Sequence, residues 1–199
     1  IVEQFDVDGL EICFRDRGYF PMGVGRERMP LMTELVARIG EKLHGKGKNL
    51  ELGVRIPESM EECLDTGLDV PTWISDGLVN YVAPQQVMYT ATNALFDEFG
   101  ELARATGCMM YPGLLPWTSV RRRRRLGNEP ITLDQYRAAA QNCYGAGADG
   151  LSFFNHMVPI EWMPSYPMML FEMDELRDPE RVAKGRRHYV FEPMLAGSK

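Results

Sequence analysis

FDVDGLEICFRD, residues 5–16, is the stretch on which the architecture of the chain turns. Read as a β-strand, it sends Leu10, Ile12 and Phe14 to one face and Glu11, Cys13 and Arg15 to the other, because successive side chains alternate. The apolar face suits a cover of helices. The opposite face aligns an acid, a thiol and a guanidinium toward something polar, ending at Asp16 and the loop DRGYFPMG. A strand at the centre of an open parallel sheet is normally apolar on both faces. A parallel barrel accommodates this one better, since residues near the carboxyl ends of barrel strands line a substrate pocket.

The same grammar repeats along the chain. PLMTELVARIGEKLHGKG places Leu31, Leu35, Ile39 and Leu43 at helical spacing, with Pro30 at the start and Gly45 at the end. LELGVRIP follows as a strand, Leu52, Val54 and Ile56 on one face, Glu51, Gly53 and Arg55 on the other, stopped by Pro57. SMEECLDTG is a short helix capped by Ser59 with Glu62 three residues on, and LDVPTWISDG adds a second helical turn. GLVNYVAP is the third strand. NALFDEFGELARATG, closed by Gly107, leads into CMMYPGLLP, a fourth strand with Tyr111 at its end and a loop from Pro116 to Pro130 behind it. ITLDQYRAAAQNCYGAGADG is a helix with Thr132 and Gln135 in capping-box places, and LSFFN is a fifth strand with Asn155 at its carboxyl end. A last helix is expected around MMLFEMDELRD, and RHYVFEP is an extra strand or a tail.

Strands near residues 10, 53, 80, 110 and 152, each followed by helix, make an α/β unit repeated about five times. An open doubly wound sheet satisfies this pattern. The polar second face of the first two strands, and longer, more aromatic loops after strands than before them, favour the barrel. A closed barrel needs eight strands and about 250 residues. The expectation is therefore α/β, a partial (β/α)8 TIM barrel of about five carboxyl-terminal units, with residues 1–199 forming a single domain that is a fragment of a larger barrel.

Composition narrows the function. The chain has 199 residues, 45% hydrophobic and 25% charged, ordinary for a globular domain. A net charge of −6 argues against nucleic acid, whose phosphates call for a basic face. Four cysteines, Cys13, Cys63, Cys108 and Cys143, lie far apart without metal-ligand spacing and read as free thiols. No run of about 18 apolar residues predicts a membrane span. No GxGxxG, Walker loop or HExxH is present, so no cofactor and no metal are expected. The start at Ile1 without methionine suggests a missing amino terminus, which leaves the compartment open.

DGLEICFR, LGVRIP, GLVNYVAP, YRAAAQNCYGAGADGLSFFN and LRDPERVAKGRRHYVF together resemble the later half of glycoside-hydrolase-like TIM-barrel proteins, the family-10-like glycosylhydrolases. The resemblance spans about Phe5 to Pro193 and implies a carbohydrate substrate at the carboxyl ends of the strands. The first strand is also similar to the chitinase pattern in which DG precedes alternating acids. Here Cys13 stands where an aspartate would, and Arg15 where the catalytic glutamate would, so the chitinase mechanism does not carry over.

Glycoside hydrolysis needs two carboxyls, one protonated and one ionised, about 5 to 10 Å apart. Glu11 is the first candidate, with a structural ion pair to Arg15 as the alternative. Asp16 at the strand end is the second, or a loop cap. Glu129, and Glu161 after the fifth strand, are loop acids able to reach a barrel mouth. Arg15 and Arg55, expected at matching heights on adjacent strands, could grip a carboxylate or hydroxyls, or else pair with Glu11. Tyr111, Trp117 and Trp162 are aromatic platforms for a sugar ring, with Asn155 beside them; Trp73 and Phe154 suit the core equally well. The run Arg121 to Arg125 is a solvated segment in the plain reading and, if ordered, suggests an acidic sugar. Among three scattered histidines only His156 lies near the mouth. Two other classes stay open: a carbohydrate-binding barrel without catalysis, and a lyase or aldolase-like enzyme, although no lysine sits at a strand end for a Schiff base.

Overall fold

Residues Gly9–Cys13 (β1) and Glu51–Ile56 (β2) run parallel in a register that sets Glu11 opposite Gly53 and Cys13 opposite Arg55. The computed structural model describes residues 2, 4–15, 18–45, 50–121, 128–156 and 173–190, with the backbone alone at 119–121, 128 and 129. Tyr81–Pro84 (β3) pairs parallel with β2, and Met109–Met110 (β4) parallel with β3, giving a four-stranded parallel sheet in the order β1-β2-β3-β4. Helices intersperse the strands: Gly25–His44 (α1), Met60–Asp65 (α2), Val70–Ser75 (α3) and Asp97–Thr106 (α4).

The fourth strand predicted from CMMYPGLLP is broken in two. Pro112 has no N–H to offer a ladder, so pairing with β3 stops after the Tyr111 N–H reaches Val82 O. The chain resumes as Gly113–Leu114 (β5), which pairs parallel with Ser152–Phe153 (β8). Hydrogen bonds from Asp149 N–H to Met110 O, Ser152 N–H to Pro112 O and Phe154 N–H to Leu114 O carry that pairing along both halves of the broken strand. The spatial order therefore follows the chain order without a reversal.

The sheet is also curved. Adjacent strands lie about 4.8 Å apart, so three spacings would hold β2 and β8 about 14 Å apart in a flat sheet. An Arg and a Ser side chain bridge at most about 9 Å plus one hydrogen bond, yet Arg55 Nη2 donates to Ser152 Oγ at 3.1 Å. Arg15, on the outermost strand, lies with its guanidinium carbon 4.3 Å from the Phe154 ring centre, beyond the opposite edge. Glu11, Arg15, Arg55 and Ser152 occupy the concave side.

Helices cover the convex side, where Leu52, Val54, Ile56, Val82 and Met110 meet Trp73 and Phe99 with essentially no exposed surface. Trp73 satisfies its indole N–H on Thr33 Oγ1 at 2.9 Å. α1 departs from expectation in phase. Its buried stripe is Gly25, Met32, Val36, Gly40 and Leu43, while Leu31 and Leu35 are exposed. The close approach on this helix is at Gly25, where a Cβ would collide with the Asp65 carbonyl at the end of α2, while Gly40 lies at ordinary van der Waals distance from Leu52 and Leu78. Pro30 lies inside this helix rather than at its start, because Gly25–Met29 adds a turn before it.

Two predicted caps are present: Ser59 accepts from Glu62 N–H, and Thr132 with Gln135 closes a reciprocal capping box on Leu133–Gly145 (α5). Gly107 ends α4 in the left-handed conformation, φ 77°. The expected loop after Pro116 contains an antiparallel ribbon instead, Trp117–Arg121 (β6) with Asn128–Pro130 (β7). Further along, residues 173–176 form a helical turn and Pro179–Lys184 a short helix (α6); the described residues of RHYVFEP, 188–190 among them, form no strand.

Gly53 carries a specific packing demand, since a Cβ there would lie inside the Tyr81 ring of the neighbouring strand. Gly53→Ala is expected to lower the unfolding free energy by about 2–3 kcal/mol through overpacking. Urea denaturation checks this, and adding Tyr81→Leu should recover part of the loss.

Candidate functional site

The concave face is built by side chains from one of the two alternating sets on each strand: Glu11, Cys13 and Arg15 from β1 and its extension, Arg55 from β2, Tyr81 and Gln85, four residues apart, from β3 and its extension, Ser152 and Phe154 from β8 and its end. Arg55 is its centre. Its Nε and Nη2 donate to Glu11 Oε1 at 2.9 and 2.7 Å, Nη1 donates to Gln85 Oε1 at 2.5 Å, and Nη2 also reaches Ser152 Oγ. The Tyr81 hydroxyl donates to Glu11 Oε2 at 3.3 Å. Burial, followed by the Glu11 charge, pushes the Tyr81 phenol up to about 12, so it remains a donor at neutral pH. Phe154 supports both cations, with the Arg55 guanidinium carbon 4.7 Å from the ring centre and Arg15 on the same ring.

The ion pair of Glu11 is therefore with Arg55, across two strands, and not with Arg15 on its own strand. Arg15 and Arg55 converge on Phe154 but at different heights, because the register partner of Arg55 is Cys13 and Arg15 lies two residues further on. Tyr111 stands at the end of β4 with its ring 5.5 Å from Tyr81, edge to face, and its hydroxyl on Met109 Sδ at 2.9 Å. Trp117 opens β6 and accepts the Thr90 N–H at its carbonyl, 2.8 Å away. Asn155 is exposed, with a left-handed φ of 58°. Asp16, Glu161 and Trp162 lie outside the described residues, as do Arg122 to Arg125; Glu129 is on β7, its side chain outside what is described.

His156 is buried behind the site. Tyr136 on α5 donates its hydroxyl to Leu115 O at 3.0 Å, which leaves the phenol oxygen to accept from His156 Nε2 at 2.6 Å. Burial pushes the imidazole down to about 4, so it is neutral at pH 7 and locks the turn after β8 onto α5.

The sequence reading passes over several of these groups. Gln85 follows a strand-ending proline and joins the concave face as the i+4 partner of Tyr81. Glu58 also sits just past a strand, after Ile56 and Pro57 at the carboxyl end of β2. Its Oε2 is buried with no hydrogen-bond partner among the described residues. Burial first, and the nearby Glu62 second, raise its carboxyl to about 7. An acid immediately beyond a strand-stopping proline was the available signal.

Among the described residues no group of three His, Cys, Asp or Glu side chains is placed to hold a metal ion, and no helix is long and apolar enough to cross a membrane. The four cysteines are free, Cys13 alone being exposed. No family model matches the chain, and no curated protein matches it.

Two outcomes follow for stability. Glu11→Gln leaves a guanidinium only 9% exposed without its carboxylate, and is expected to cost about 3 kcal/mol; adding Arg55→Met should return much of it in chemical denaturation. Glu58 binds its proton more tightly folded than unfolded, so its stabilisation is full below pH 4.5 and lost as pH rises through about 7. Measured as the difference between Glu58→Gln and the native chain, the variant should gain on the order of 3 kcal/mol from pH 4.5 to pH 8.

Proposed function

We propose that the chain is the later part of a (β/α)8 barrel, about five βα units in one domain over 1–199, and that it hydrolyses a glycoside held at the carboxyl ends of its strands. A sheet order that follows the chain order, without the reversal that creates a doubly wound crevice, supports the barrel. A curved wall with charged and hydroxyl groups on its inner side supports a polar ligand.

The observation that carries the hydrolase reading is Glu58, an acid just beyond β2 that burial keeps substantially protonated near pH 7. Glycosidic cleavage uses one protonated carboxyl to assist the leaving oxygen and one carboxylate opposite it. Glu58 is the acid in this proposal. The carboxylate is Glu11, Asp16 or Glu129. Arg15, Arg55, Tyr111, Trp117, Asn155 and Trp162 hold the sugar, the guanidiniums on its oxygens and the rings against its C–H face.

A second reading, carbohydrate binding without catalysis, draws support from the ion pair itself. Glu11 Oε1 already accepts two N–H groups of Arg55, and Oε2 faces Tyr81. A carboxylate engaged in this way is a strut more readily than a nucleophile.

The full chain should be assayed on a panel of aryl glycosides and polysaccharides beside Glu58→Gln and Glu11→Gln. Turnover that falls as pH rises above about 7, with at least a 100-fold loss of kcat in Glu58→Gln, is the expected result. Turnover indifferent to Glu58→Gln removes Glu58 from the mechanism. Binding without turnover selects the second reading.

A further inference from the structure

We propose that the concave face holds a binding point for a ligand carboxylate, made by the Gln85 side-chain NH2 and the one uncommitted N–H of Arg55 Nη1. The proposal rests on the carbohydrate reading for the class of molecule, and narrows it to a sugar acid of the uronate type.

Donor bookkeeping locates the point. A guanidinium has five N–H donors and no acceptor. Among the described residues four hydrogen bonds from Arg55 go to Glu11, Ser152 and Gln85, which leaves a single N–H, on Nη1. Because Arg55 only donates, Gln85 must turn its Oε1 toward it, and its NH2 therefore points away. That NH2 is buried on a residue 1% exposed and has no hydrogen-bond partner among the described residues. Native interiors leave few such groups unsatisfied, because a desolvated donor without an acceptor is costly.

The pose of Gln85 is imposed by its surroundings. Its side chain fills the space beside Gly113 on β5, where any Cβ would collide with Gln85 Oε1 and Cβ. One amide group separates Nε2 from Oε1, so Nε2 lies within about 5 Å of Nη1. A single oxygen can accept from both.

The chemistry favours a carboxylate for that oxygen. A hydroxyl or a water brings its own proton, which then needs an acceptor. Of the nearby acceptors, Glu11 Oε1 already takes two N–H groups from Arg55, and Gln85 Oε1 and Ser152 Oγ take one each. A carboxylate only accepts, and a guanidinium gives it a charge-assisted bond. Glu11 grips the Nε and Nη2 edge of the fork, so the Nη1 end is the part of Arg55 turned from that negative charge. Cys13, the register partner of Arg55, is exposed, which brings solvent to the concave face one strand away.

The test is a titration of the 15N-labelled full chain followed by NMR, with the Gln85 side-chain amide signals assigned by their loss in Gln85→Met. Sodium glucuronate should shift those signals saturably, with a Kd at least tenfold lower than that of glucose. Gln85→Glu, which replaces the donor with a negative charge, should weaken glucuronate at least tenfold while the backbone spectrum stays native. Gln85→Met should show a loss in the same direction without any added charge, read from backbone amides of the strand. If sodium acetate shifts the Gln85 amide and neither sugar does, the carboxylate point stands and the carbohydrate reading fails. Glucose binding as tightly as glucuronate, a Gln85 amide that no carboxylate moves, or Gln85 variants with native glucuronate affinity would each overturn the proposal.

Discussion

The ion pair between Glu11 and Arg55 ties the architecture together. It spans β1 and β2, and through the remaining donors of Arg55 it extends to Gln85 beyond β3 and Ser152 on β8. One side chain thus meets groups from strands that a flat sheet would keep too far apart. The concave curvature and the fork of hydrogen bonds imply each other. A guanidinium suits this position because its planar donors point in fixed, divergent directions, whereas an ammonium would hold the same charge without the geometry. Phe154 completes the arrangement by giving the cation an aromatic face where solvent is largely excluded.

The two sides of the sheet divide the work. On the convex side, Leu52, Val54 and Ile56 of one strand are almost wholly buried against helices, and burial of that apolar surface provides most of the driving force for folding. On the concave side, a buried ion pair contributes little net stability but penalises any change that leaves one partner behind. Such a network specifies one arrangement of strands more than it strengthens it. Glu58 stands outside this network, and its unsatisfied oxygen near the carboxyl end of β2 is the kind of tension that functional sites retain.

Much of this was legible in the chain. Alternation in GLEIC and ELGVRI placed Glu11 and Arg55 on one face, and the caps at Ser59, Thr132 and Gly107 marked helix ends by short-range chemistry. What escaped depends on contacts between distant segments. The α1 stripe is displaced by one residue, to Met32, Val36, Gly40 and Leu43, a phase that the apolar pattern of the helix alone leaves open. CMMYPGLLP reads as one strand by its apolar run, and only the competing partners β3 and β8 reveal that Pro112 divides it. TSVRRRRRLGNE reads as a polar loop, although its flanks pair as a ribbon. Gln85 and Glu58 follow prolines, where strand periodicity stops giving guidance on side-chain direction.

The break at Pro112 has a mechanical meaning. A fourth strand that loses one partner partway along contains a seam, with β3 bonded to its lower half only while the segment leading through β8 follows both halves. Across that seam the usual ladder is replaced by one side chain, Gln85, wedged against a bare glycine. The bonds from Asp149, Ser152 and Phe154 run past the break, so the last strand splints its two halves and the interruption stays on the side of β3.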